Sequence, residues 1–149
     1  MKIKEIVDVK CVEVKLQSTD KFEAIAELVG ILNEAGKLKD YDIALKSVMD
    51  REAIRSTGVG QGFAIPHGKC AAVDTLVMAV GKTSEPIDYQ SIDKEPVELI
   101  VLLVSPTDTT GPHIQALAQI SRIMTTEESR KKIWRSKTSE ELFKAIIGE

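Results

Sequence analysis

Ser56-Thr57-Gly58-Val59-Gly60-Gln61-Gly62-Phe63-Ala64-Ile65-Pro66-His67 is the stretch on which the reading of this chain turns. Glycine stands at every second position from 58 to 62, and a proline precedes the histidine. Such density of glycine interrupts both helical and strand periodicity, so the stretch reads as a loop with a short extended piece over 63–65. The patterns on its two sides differ, and that difference sets the fold class.

Before it, residues 11–16 alternate Val12 and Val14 with Glu13 and Lys15, a strand with one wet face. Asp20 and Glu23 then form a D-x-x-E helix start. Phe22, Ile25, Ala26, Leu28, Val29 and Leu32 follow at helical spacing, and Gly36 ends that helix. A second helix starts at Asp40 or Asp42 and carries Ile43, Leu45, Val48, Met49 and Ile54 up to about Arg55. After the glycine stretch, residues 75–80 and 97–104 read as buried strands, with turns and a small edge hairpin around 85–89 and 92–93. The last third is helical over 111–124, 126–134 and 139–147, with Thr138 or Ser139 as the final cap. This order predicts one α/β domain over 1–149, a sandwich whose mixed sheet of about five strands is flanked by helices on both faces.

Composition narrows the function. Hydrophobic residues make up 43% and charged residues 29%, the balance of a folded globular chain. Net charge is −3 with no basic run, which argues against a nucleic-acid partner. Cys11 and Cys70 stand in no metal-like spacing and read as reduced thiols. The start, MKIKEIVDVK, has no apolar core of a signal peptide, and the longest apolar run, 99–104, is too short to span a bilayer. The expectation is a cytoplasmic protein that is not membrane-inserted.

The chain has two histidines, His67 and His113, and each follows a proline. His67 ends the glycine stretch; His113 follows Gly111-Pro112 where a strand gives way to a helix, a position where open α/β sheets gather functional groups. Either could be an ordinary surface or capping histidine. The glycine stretch favours chemistry, because Gly58, Gly60 and Gly62 expose N–H groups that can form an anion-binding concavity. Ser56 and Thr57 add hydroxyl donors, and Arg51 and Arg55 lie on the preceding helix. A P-loop is excluded because Phe63 and Ala64, not Lys and Ser or Thr, follow Gly62, and a dinucleotide fingerprint fails at Phe63. A metal site has no supporting local spacing, and no G-x-S-x-G elbow is present. Cys70 reads as a small, partly buried apolar residue.

Arg51-Glu52 followed by the quoted stretch resembles the signature of the fructose/mannitol-type enzyme IIA domain of the bacterial phosphotransferase system, including its nitrogen-regulatory branch. Pro86-Ile87-Asp88-Tyr89, Glu95-Pro96-Val97 and His113-Ile114-x-x-Leu117 extend the resemblance over nearly the whole chain. The resemblance implies a mixed sheet flanked by helices and a phosphocarrier function. His67 would accept phosphate from the carrier HPr or a paralogue and pass it to a cysteine of a IIB domain. His113 and Arg51 would assist, and Thr57, Gly58, Gly60 and Gly62 would bind the phosphate. No metal and no organic cofactor is implied. The alternative it carries is a regulatory protein that binds target proteins according to its phosphorylation state; Gly68-Lys69 and the free-standing chain resemble that branch. The side chains of His67, His113 and Arg51 are expected at a surface cleft. Phe63, Ile65 and Ile114 are candidates for a docking surface or for core, with Ile65 favoured as core.

Overall fold

A computed structural model describes residues 2–149. After a single 3-10 turn at Ile3–Glu5 the elements are β1 (Val7–Leu16), α1 (Lys21–Glu34), α2 (Tyr41–Ile54), β2 (Gly58–Gly60), β3 (Phe63–Ala64) and β4 (His67–Lys69). Then come β5 (Val77–Ile87), β6 (Val97–Ser105), α3 (Gly111–Ile123), α4 (Glu127–Arg135) and α5 (Ser139–Ile147). The sheet is mixed and six-stranded, in the order β1-β5-β6-β3-β2, with β4 also paired to β6.

Helix starts follow their caps. The Asp20, Asp40, Thr126 and Thr138 side chains each accept the N–H three residues on. Gly36 closes α1 with φ +74°, and the N–H groups of Gly36 and Lys37 reach the carbonyls of Asn33 and Leu32.

Helix faces differ in part from the periodic reading. In α1 the buried face carries Ala24, Ile25, Leu28, Val29 and Leu32, but its first position belongs to Lys21, while Phe22 is half out in solvent. At about 100° per residue, Phe22 falls at the rim of that face and Lys21 at its centre. In α2 the buried line is Ala44, Val48 and Glu52, and Leu45 and Met49 pack against it. Ile43 and Ile54, expected in the stripe, are exposed, Ile54 by 81%. Both project roughly opposite Val48 around the helix.

The sheet also corrects two expectations. Residues 58–64, read as loop with a short extended piece, fold into the antiparallel pair β2–β3, with Gly58 opposite Ala64 and Gly60 opposite Phe63. β5 runs on to Ile87, through the segment read as turns and an edge hairpin. It pairs on both sides, parallel to β1 and antiparallel to β6, and that pairing takes in the polar residues Lys82, opposite Leu99, and Thr83, opposite Leu16. Pro86 falls where the register with β6 shifts, between Lys82 and Ile87, a place that tolerates a missing N–H.

β6 is the axis of the molecule. Ile100, Leu102 and Val104 face α1 and α2, and Leu99, Val101 and Leu103 face the layer of α3, α4 and α5. Burial on both faces explains its unbroken apolar run. β3 and β4 lie end to end along one side of it. Phe63 and Ala64 pair with Leu99 and Ile100, and His67, Gly68 and Lys69 with Leu103, Val104 and Ser105. Pro66 sits in the step between them; it has no N–H for the ladder, and its carbonyl takes the Leu103 N–H at 3.1 Å.

Candidate active site

His67 opens β4, so its backbone is fixed by the pairing with Leu103. Its Nδ1 lies 2.8 Å from the Ile65 carbonyl oxygen. A carbonyl only accepts, so the proton of the neutral ring sits on Nδ1 and Nε2 carries a free lone pair. The ring is half-buried. Burial pushes its pKa down, the Ile65 contact works against that, and the nearby Arg51 charge adds to the lowering.

His113 sits in the first turn of α3, with Pro112 just before it. Its ring meets that of His67 edge-on, with centroids 5.5 Å apart and planes 63° apart. It is only 6% exposed, a correction to the expected cleft position. The first turn of α3 packs over the end of β6, where Ser105 Oγ lies 2.6 Å from His113 Nδ1. Burial first, then the neighbouring His67 and Lys69, push the His113 pKa down to about 4. At neutral pH the site therefore presents two uncharged imidazoles side by side.

Arg51, on α2, lies near enough to His67 for its charge to act on that ring. One guanidinium N–H donates to the Arg55 carbonyl at 2.9 Å, which ties down the helix end and uses one of five donors. What brings α2 so close is Gly68. A Cβ there would stand 3.1 Å from the backbone of Ser47 and Val48. The Ser47 hydroxyl donates to the Lys69 carbonyl at 2.9 Å. Arg51 is one turn beyond Ser47 on the same side of α2.

Behind the site lies a buried polar joint. Lys21 Nζ is 3.0 Å from Glu52 Oε2, and both side chains are almost fully buried. Glu52 also accepts the Thr57 N–H at 2.8 Å, the Thr57 hydroxyl at 2.5 Å and the Tyr89 hydroxyl at 3.1 Å. Burial and the Glu52 charge push the Tyr89 phenol far up, so it stays a neutral donor. The Lys21 ammonium stands 5.0 Å over the Tyr89 ring. The joint ties the start of α1, the end of α2, the first residue before β2 and the loop after β5 to one carboxylate.

The structure brings His67, His113 and Arg51 together, and it separates them from the turn of the glycine stretch. Gly60 (φ +102°), Gln61 (φ +58°) and Gly62 (φ +80°) form the β2–β3 turn, where the chain needs left-handed torsions. Leu99 and Leu103, the partners of Phe63 and His67, are four residues apart on β6, or about 13 Å at strand rise. Donors around this stretch are already committed. Thr57 gives both of its donors to Glu52, the Gly58 N–H goes to Ser56 Oγ, and the Gln61 N–H goes to Asp93. Phe63 and Ile65 belong to the core; Ile114 is 60% exposed beside His113.

Three contributors escaped the sequence reading: Ser105 behind His113, Gly68 under α2, and Glu52 as a joint. Glu52 and Gly68 lay within quoted motifs, but their work depends on helix-to-strand distance. Ser105 follows an apolar run with no spacing signal of its own. Among the described residues no three His, Cys, Asp or Glu side chains are grouped to hold a metal ion, and no helix is long and apolar enough to cross a membrane.

Comparison with known proteins converges on one family. The sequence model described as phosphoenolpyruvate-dependent sugar phosphotransferase system, EIIA 2, matches residues 5–148. The fructose-specific EIIA component of Haloferax volcanii is 31% identical over 131 residues, covering 88% of this chain and 85% of that protein. The fructose-specific EIIABC component of Bacillus subtilis is 32% identical over 98% of this chain, which spans 23% of that protein's length. Among solved structures, the nitrogen regulatory protein IIA-Ntr of Neisseria meningitidis superposes with a TM-score of 0.89 at 28% identity, over 97% of this chain and 98% of that one.

Proposed function

The chain belongs to the EIIA 2 family of the phosphoenolpyruvate-dependent sugar phosphotransferase system, and from that premise we propose that it is a phosphocarrier with His67 as its phosphoryl acceptor. One observation carries the reading: the Ile65 carbonyl holds the proton of His67 on Nδ1, which leaves a neutral, half-buried Nε2 with its lone pair free. Residues 1–149 act in this reading as one IIA unit, in the cytoplasm alongside the donor, without metal or organic cofactor.

The Nε2 lone pair attacks the phosphorus of the donor phosphohistidine on HPr or a paralogue in line. The new N–P bond forms as the donor's N–P bond breaks, and the donor imidazole leaves as the neutral base. In the second step a cysteine thiolate of a IIB domain attacks the same phosphorus, the N–P bond breaks, and His67 leaves as the neutral imidazole with its Nδ1–H still donated to the Ile65 carbonyl. Such a transfer asks the protein mainly for position and charge. Arg51 neutralises the transferring oxygens, and His113 supplies a hydrogen bond beside them. With the N–H donors of Thr57 and Gly58 already used, these side chains take the larger share of phosphate binding.

Docking of donor and acceptor falls on the rim around His67. At about 100° per residue, the exposed Ile43 and Ile54 share an arc of α2 with Ser47 and Arg51. Ile114 lies on the opposite rim. Apolar residues around a small polar centre suit transient partners that must leave again.

The test is direct. Incubated with enzyme I, HPr or its paralogue, and phosphoenolpyruvate, the chain takes up an acid-labile, alkali-stable phosphate on His67. Label retained by His67→Ala sinks the assignment. A second reading, a regulatory protein whose phosphorylation state controls target binding, is favoured by the likeness to IIA-Ntr over nearly the whole of both chains. A phosphoryl group adds about two negative charges at an otherwise uncharged pair of rings, enough to change a docked partner's affinity. Different partner sets captured by wild type and His67→Asp support regulation; identical sets with efficient transfer to a IIB domain support transport.

A further inference from the structure

Ser105 is the last residue of β6 and is fully buried. Among the described residues its hydroxyl has one hydrogen-bond partner, His113 Nδ1, at 2.6 Å. Two arrangements fit that contact. If His113 held its proton on Nδ1, two donors would share one bond, and the serine hydrogen would be left in a dry interior without an acceptor. A buried donor left unmade is the costly case. If the serine O–H donates to a bare Nδ1, every donor at the contact is used.

We propose that Ser105 is a positioning residue: its hydroxyl donates to His113 Nδ1 and holds that ring as the Nε2–H tautomer, so that a donor stands beside the phosphoryl group on His67. The inference rests on the phosphocarrier reading of His67. It gives the two rings, 5.5 Å apart, opposite tautomers. The Ile65 carbonyl leaves His67 Nε2 bare to attack, and the Ser105 hydroxyl leaves His113 Nε2 protonated to donate. No proton has to be taken up for that hydrogen bond, which suits a ring whose protonation burial opposes. Without Ser105 the ring is free to place its lone pair against the phosphoryl oxygens, where it repels them.

Long-range 1H–15N spectra of the 15N-labelled chain read both tautomers. The expected result is His113 bare on Nδ1 and protonated on Nε2, with His67 the reverse. A His113 proton on Nδ1 overturns the proposal. In Ser105→Ala the His113 signals move toward an average of the two tautomers. Transfer from the phosphorylated chain to a IIB domain slows about ten-fold, the scale of one hydrogen bond to a charged group. Transfer at the wild-type rate overturns the proposal as well. If the wild-type chain takes up no phosphoryl group at all, the phosphocarrier reading fails instead, and the spectra then report only on the ring.

Discussion

Gly62 and His67 are five residues apart in sequence and belong to one motif, yet their ends of that motif are set about 13 Å apart along β6. At one end, two neutral imidazoles and a guanidinium meet where β4, α2 and α3 converge. At the other, the glycines turn the chain between β2 and β3, close to the Trp134 ring of α4. One end has unspent donors and a lone pair; donors around the other are spent on Ser56 and Asp93. The contrast teaches that the residues of one sequence motif need not share one task. Some of them bend the chain so that the histidine arrives in register.

Glu52 ties Thr57, just before β2, to the helix that carries Arg51, and its loss carries the largest expected effect. Glu52→Gln leaves the Lys21 ammonium buried without a counter-charge and weakens the hold on Thr57. Breaking a buried pair in this way costs about 3–5 kcal/mol. Urea or guanidinium unfolding measures it as a drop in midpoint. The pair Lys21→Met with Glu52→Gln recovers part of the loss, because no buried charge is then left alone. If the single variant unfolds at the wild-type midpoint, the joint does not hold Thr57 and α1 to α2.

Arg51→Ala separates the ends from the chemical side. Its fold contact is one bond to the Arg55 carbonyl, so stability changes little. The phosphoryl uptake rate at His67 falls about 10²–10³-fold, the scale of one preorganised electrostatic donor. Rapid-quench labelling reads it. An unchanged rate makes Arg51 a helix-end residue and moves the charge of the site to Lys69.

How much of this was readable beforehand depended on whether a feature is local. The caps at Asp20, Asp40 and Thr138 are carried by residues within one turn, and the sequence points to Asp20 directly and to the other two as one of two neighbours, Asp40 or Asp42 and Thr138 or Ser139. The apolar run of β6 also reads from its residues alone, because burial on both faces leaves no alternation to misread. The face of α2 reads only in part: Val48, Leu45 and Met49 lie on the core side as expected, but Ile43 and Ile54 are exposed, and the inward places of Ala44 and Glu52 go with the close approach of the helix to Gly68, which no periodicity contains. β5 reads short in the sequence because Lys82–Glu85 are polar, and pairing of Lys82 with Leu99 and of Thr83 with Leu16 is what continues it. At the site, His67 and His113 were visible as proline-led histidines near strand ends. Ser105 and the joint at Glu52 depend on which element packs on which.

Acid tests the chemical end through stability. The free pKa of a histidine is about 6.5, and that of His113 is pushed down to about 4, so the unfolded chain binds the proton more tightly. Stability from keeping this ring neutral is complete above pH 6.5 and is lost as pH falls toward 4, amounting to at most about 3 kcal/mol there. His67 is shifted in the same direction. Asp8 and Asp93, both lowered from 3.8, add their losses at lower pH, so the window above about 4.5 belongs mainly to the histidines. Unfolding midpoints of wild type and His113→Gln between pH 7.5 and 4.5 should converge as the pH drops. Parallel curves mean that the His113 ring is not held neutral by its burial.

The smallest effect is the one that tests the contrast most sharply. Gly62 has φ +80°, which an L side chain adopts only with strain. Space is not the obstacle, since a Cβ there would meet the Trp134 ring at 3.6 Å, an ordinary contact. Gly62→Ala should therefore lose about 1 kcal/mol of stability through the backbone alone. Its phosphoryl uptake at His67 should remain within about two-fold of wild type, because the turn lies a full strand length from the acceptor nitrogen. Arg51→Ala has the opposite signature, with rate lost and stability kept. If Gly62→Ala instead slows uptake ten-fold or more while the protein stays folded, the turn does reach the phosphoryl group during transfer. The glycines would then belong with His67 after all, and the division of the motif into a chemical end and a bending end would be wrong.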